Sequence, residues 1–111
     1  MSVREMVSAI AKEMRDSDLQ PSRATELLAK TTALLGSCNA EIREAEFQYA
    51  QVLLGHLNAD GPANKAKIRA EVTPEYQRKQ QARDTKELVV EMTRSLKYLI
   101  RAAEEEMRLS R

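Results

Sequence analysis

The sequence predicts an all-α protein, an antiparallel helical bundle built on a long helical hairpin, and two observations carry that reading. Ala24, Leu28, Thr31, Leu35, Cys38, Ile42, Ala45, Tyr49, Val52 and His56 follow one another in alternating steps of four and three. That heptad spacing is the mark of one face of a long helix pressed against other helices. Aromatic residues make up only 4% of the chain, Gly and Pro number three each, and the bulk is Ala, Leu, Glu, Arg, Lys and Met. Those residues form helices readily and strands poorly. The 111 residues fit a single helical domain over 1–111, well below the size at which chains split.

The elements follow in order. Ser2 and Glu5 form a capping-box pattern, and Val3, Met6, Val7, Ile10, Ala11 and Met14 line one face, so a short helix is expected from about 3 to 15. Asp16, Ser17 and Asp18 end it. Pro21 suits the first turn of a second helix, where its missing N–H is not needed, and the heptad stripe carries that helix to about 57. Gly36 and Ser37 fall inside it and could split it in two, but the heptad phase passes through unshifted, which favours one helix that is free to bend near Gly36 and lets another backbone approach closely there. The run from Asn58 to Asn64 contains Asp60, Gly61 and Pro62 and reads as a turn over 58–64. Lys65 to Val72 suits a short helical segment, and Thr73 with Pro74 repeats the cap-then-proline signature of a helix start. A last helix is expected over about 74–109, with Leu88, Val89, Met92, Leu96, Leu99, Ile100, Ala103 and Met107 as its apolar face. Its first part offers only Tyr76 and Ala82 for burial, so the Gln/Arg/Lys-rich stretch from Tyr76 to Lys86 is expected to be solvated, frayed or covered from outside the chain.

A formal net charge of +1 excludes the strong overall positive field of a protein that coats DNA. One cysteine cannot form an intrachain disulfide or a thiolate metal site, which fits a reducing, cytoplasmic setting. The charged residues Arg4, Glu5, Lys12 and Glu13 break up any apolar run of signal-peptide or membrane-spanning length near the start, so no membrane association is expected. This build suits a bacterial or phage accessory protein.

Residues able to do chemistry do not converge. His56 is the single histidine and Cys38 the single cysteine; both lie on the heptad stripe, five turns apart on one helix, too far to act as a nucleophile and base. Their spacing fits packed side chains. Glu41 and Glu44 resemble the Glu-x-x-Glu half of the Mg²⁺ site of the small all-α nucleoside triphosphate pyrophosphohydrolases. The Glu-x-x-Asp half is missing, since Asp84 and Glu87 stand in reversed, displaced order. The three glycines are scattered, so there is no phosphate-cradling loop. Glu104, Glu105 and Glu106 read as a solvated face with helical pairing such as Glu104 with Arg108. The chain is therefore read as non-enzymatic, with no cofactor and no metal.

Two patterns point to binding. Ala33, Ala40, Phe47 and Leu54 recur every seven residues on the side opposite the main stripe, an apolar ridge that either the first helix covers or a second copy of the chain does, the Met-rich face of the first helix being the other surface through which copies could pair. From Lys65 to Lys86, seven cations (Lys65, Lys67, Arg69, Arg78, Lys79, Arg83, Lys86) face three anions, a local excess of four. With Tyr76 and the neighbouring glutamines, those cations could meet phosphates and bases, or an acidic partner. The leading expectation is a helical interaction protein, an adaptor, regulator or assembly factor, that forms a homo-oligomer and binds a protein partner. The alternative is nucleic-acid binding through 65–86, and a more remote one is Mg²⁺-dependent nucleotide chemistry at Glu41 and Glu44.

Overall fold

The protein is described by a computed structural model covering residues 2–110, apart from the side chain of residue 60. Among the described residues are four helices and no strands: α1 (Val3–Asp16), α2 (Pro21–Asp60), α3 (Ala63–Glu71) and α4 (Pro74–Leu109). The long helix α2 packs against the long helix α4, the all-α helical hairpin bundle that the heptad stripe predicts. No helix among them is long and apolar enough to cross a membrane.

Local chemistry explains the boundaries. Ser2 caps α1, its hydroxyl accepting the Glu5 N–H at 3.1 Å, and the helix ends where Ser17 N–H donates to the Glu13 carbonyl. Thr73 joins α3 to α4: its hydroxyl donates to the Ala70 carbonyl at 2.6 Å and accepts the Tyr76 N–H at 3.3 Å. The second helix reaches Asp60, so the expected turn over 58–64 shrinks to Gly61 and Pro62. Asn58 and Ala59 stay helical because the break is made by Gly61 alone, which adopts φ +77°, the left-handed conformation that glycine takes just past a helix end. Pro62 follows and its carbonyl accepts the Ala66 N–H at 3.1 Å. Through Gly36 the helix is unbroken, and a Cβ placed on Gly36 meets nothing within 4 Å. The close backbone approach expected at this glycine is therefore corrected: open space surrounds it.

Packing divides the chain into two compact units, one holding the chain up to Ser37 together with the chain from Thr85 onward, the other Cys38–Asp84. In the first, Val7 and Ile10 of α1 meet a core of Ala24, Leu27, Thr31 and Leu34 from α2 and Val89, Met92, Thr93 and Leu96 from α4, all buried. Leucine, valine and isoleucine side chains contribute roughly 1.5–3 kcal/mol each when fully buried, so this unit holds the larger hydrophobic term. The second buries smaller groups: Cys38, Ala45 and Tyr49 of α2, Ala66 and Ala70 of α3 and Ala82 of α4.

All ten residues of the predicted stripe are buried or half-buried. Leu27 and Leu34, each one residue before a stripe position, are buried as well. They widen the apolar face of α2 toward α1, whose Glu13 chelates Arg23 at 2.6 and 2.7 Å. That bidentate pair holds the Glu13 carboxyl below its usual range and raises the Arg23 guanidinium further. On α4, Val89, Met92 and Leu96 are buried as expected, whereas Leu88, Leu99 and Met107 stay exposed.

Candidate functional site

The ridge on the outer side of α2 is open to solvent. Ala33 and Ala40 are exposed, and Phe47 and Leu54 keep 63% and 57% of their surface accessible. Single exposed apolar residues are ordinary on a soluble protein. Here the exposure recurs one heptad apart along one face, opposite the stripe whose positions are buried or half-buried. In the second unit the ridge comprises Ala40, Phe47 and Leu54, and Ala33 belongs to the first. Arg43 and Glu44 are exposed beside it, and among the described residues neither makes an ion pair within the chain. Sequence reasoning named the four apolar residues and passed over this pair. Its signal was two adjacent opposite charges on the ridge's flanks.

The basic segment has a different fate in each of its parts. Lys65, Lys67 and Arg69 are exposed on α3. On α4 the stretch is solvated as one of the expected outcomes has it, with Gln77, Arg78, Gln80, Gln81, Arg83 and Asp84 exposed, but it is not frayed: residues 76–84 are helical, and Tyr76, Lys79 and Ala82 are half-buried or buried in their own unit. Arg78 Nη1 donates to Gln48 Oε1 at 2.6 Å, and Arg83 Nη2 donates to Glu46 Oε1 at 2.7 Å. The Lys79 ammonium stands 4.4 Å from the centre of the Tyr49 ring and 5.8 Å from that of Tyr76, within reach of a cation–π attraction. The two rings are themselves 5.4 Å apart and tilted by 52°. Tyr76 accepts a hydrogen bond on its hydroxyl from Gln80 Nε2 at 2.9 Å. Lys86 is half-buried and falls in the first unit.

These contacts set the electrostatics. Arg83 beside Glu46 holds that carboxyl below the ordinary carboxylate range, with Lys79 adding a smaller pull. Burial pushes the Tyr49 phenol up, helped by the negative charge of Glu71. Three of the cations that sequence reasoning offered to phosphates are thus engaged by α2; Lys65, Lys67 and Arg69 of α3 are exposed.

Glu41 and Glu44 are both exposed. Among the described residues no group of three or more His, Cys, Asp or Glu side chains is placed to hold a metal ion. Cys38 is buried and His56 half-buried on α2, at the seam positions their spacing predicts. In the first unit a shallow groove of about 770 Å³ runs between α1 and α4, lined by Met14, Leu88, Met92, Tyr98 and Leu99 with Arg15 and Arg94 at its rim. A second, of about 520 Å³, lies between α1 and α2, floored by Met6, Ile10, Leu27 and Leu34. Both are bounded mainly by apolar side chains, and neither brings a nucleophile together with a base. No protein-family model matches this chain, and neither a curated protein nor a solved structure is significantly similar to it.

Proposed function

We propose that the chain acts by binding: a helical hairpin protein that pairs with a second copy of itself through the outer face of α2 and serves as an adaptor, regulator or assembly factor. The observation that carries this reading is the joint exposure of Phe47 and Leu54, 63% and 57%, one heptad apart on a helix whose opposite face is buried or half-buried. A two-fold pairing would bury four such side chains, two from each copy, and because about two-fifths of each is already covered the gain is roughly 1–2 kcal/mol per side chain. Association costs about 4–15 kcal/mol in lost freedom, so the balance supports a weak, concentration-dependent dimer. Such an affinity suits a part that assembles and separates.

Equilibrium sedimentation tests this. The protein is expected to pass from monomer to dimer as its concentration rises toward about 100 µM, and Phe47→Glu is expected to hold it monomeric with unchanged helical circular dichroism. A strict monomer across that range removes the reading.

Nucleic-acid binding is the second reading, supported by the exposed Lys65, Lys67 and Arg69 of α3. It is the weaker of the two because Arg78, Lys79 and Arg83 already have partners on α2. It requires retention of nucleic acid at low ionic strength that falls with a slope near −0.7 to −0.9 per phosphate contact.

A further inference from the structure

Resting on the self-association proposed above, we infer that the second copy of this chain stands parallel and in register along α2, held there by reciprocal Arg43–Glu44 pairs. Successive helical residues are about 100° apart. Along the line Ala40–Phe47–Leu54, Arg43 therefore falls on one flank and Glu44 on the other, each about 50° away. Both are exposed and, among the described residues, without an ion pair inside the chain.

Symmetry then separates the two ways of pairing this face. An antiparallel two-fold brings each flank against the same flank of the other copy. Centred on this region, it sets Arg43 beside Arg43 of the second copy and Glu44 beside Glu44 of the second copy, a like-charge arrangement that costs stability. Sliding the copies by a heptad escapes that repulsion but leaves both charges without a partner. A parallel two-fold exchanges the flanks. Arg43 then faces Glu44 of the second copy with an axial offset of only ~1.5 Å, and the pair occurs twice. The same register stacks Phe47 on Phe47 of the second copy and Leu54 on Leu54 of the second copy, the in-register arrangement of a parallel coiled coil. Charges at such flanking positions fix orientation and partner choice more than they add affinity.

The test uses the full chain. Ala40 lies on the ridge, and a parallel in-register pair brings the two Ala40 Cα atoms within the ~5.5–6 Å that a disulfide spans. Mild oxidation of Ala40→Cys is expected to give a covalent dimer, while the native Cys38, 1% exposed, gives none in the unmodified protein. Arg43→Glu or Glu44→Arg alone is expected to raise the dissociation constant at least tenfold, and the double exchange Arg43→Glu/Glu44→Arg to bring it back within about threefold. Circular dichroism and urea midpoints of the variants check that the fold is unchanged. A dimer by sedimentation that is dispersed by Phe47→Glu, yet shows no Ala40→Cys cross-link and no response to the charge exchanges, overturns the parallel register and leaves the self-association standing. A strict monomer, or a dimer indifferent to Phe47→Glu, overturns both.

Discussion

Thr93 Oγ1 lies 3.2 Å from Thr31 Oγ1, where α4 meets α2 in the buried core of the first unit. Each hydroxyl also has a carbonyl of its own helix within reach, Leu28 O at 3.1 Å for Thr31 and Val89 O at 2.8 Å for Thr93. A hydroxyl carries one hydrogen. The pair is therefore satisfied in either of two chains, Thr93 to Thr31 to Leu28 or Thr31 to Thr93 to Val89.

That redundancy makes the energetic consequence non-additive. Replacing Thr31 or Thr93 by valine removes the interhelical bond but leaves the surviving hydroxyl a backbone acceptor, so each single change is expected to cost about 0.5–1.5 kcal/mol. In the double valine variant both polar groups leave together and the layer becomes apolar at nearly the same volume. Its cost is expected to fall short of the sum of the singles by about 0.5 kcal/mol or more. Urea unfolding of the four proteins measures this cycle, and strict additivity counts against the coupling.

The glycines give a pair of opposite expectations. Gly36 is helical, exposed and surrounded by open space, a Cβ there meeting nothing within 4 Å. Gly36→Ala then has no steric cost and removes the extra freedom of glycine from the unfolded chain, a gain of about 0.5–1 kcal/mol. At Gly61 a Cβ also meets nothing, but φ is +77°, where a side chain collides with its own backbone. Gly61→Ala is expected to lose roughly 1–2 kcal/mol. Thermal unfolding should move in opposite directions for the two variants, and a shared direction would show that backbone conformation is not what distinguishes them.

The parts of this structure that were legible in the sequence are those written in spacing and caps. The α2 stripe, Ser2 before α1 and Thr73 before α4 each declare themselves through a few residues at fixed intervals, because one helix face or one orphan N–H needs them. Leu27 and Leu34 were not legible, since a stripe chosen for one neighbour conceals that α2 has a second neighbour, α1, on its adjoining side. Ala66 and Ala70, both fully buried, lie between charged residues, Lys65 and Lys67 about the first and Arg69 and Glu71 about the second, and read as ordinary helix formers. The exposed tail of α4 shows the same ambiguity, because Arg108 pairs with Glu105 three residues away in place of the expected Glu104 four away, and either spacing suits a helix. The docking of 76–84 on α2 was hidden for another reason. It is made by Arg78, Lys79 and Arg83 reaching Gln48, Tyr49 and Glu46, and long polar side chains that bridge two helices leave no apolar periodicity.

The same bridge has a pH signature. Arg83 Nη2 donates to Glu46 Oε1 at 2.7 Å, and the guanidinium holds the carboxyl below its ordinary range, with Lys79 assisting. In the unfolded chain Glu46 returns to the ordinary glutamate value of about 4.3. At acidic pH the unfolded state then binds more protons than the folded one, so the contribution of the pair is complete above that value and is lost as pH falls through the lower folded one. In an NMR titration the Glu46 carboxyl should show its midpoint on the acid side of the ordinary range, and Arg83→Met should return it there. The difference in urea midpoint between the unmodified protein and Glu46→Gln should accordingly be largest near neutrality and shrink below about pH 4. Both partners are partly exposed, at 50% and 41% of their side-chain surface, so the displacement should also diminish in salt, where the Debye length drops to about 3 Å at 1 M. A Glu46 carboxyl that titrates in the ordinary range at low ionic strength would show that Arg83 does not hold it in solution, and with it would go the electrostatic part of the contact between α4 and α2 in the second unit.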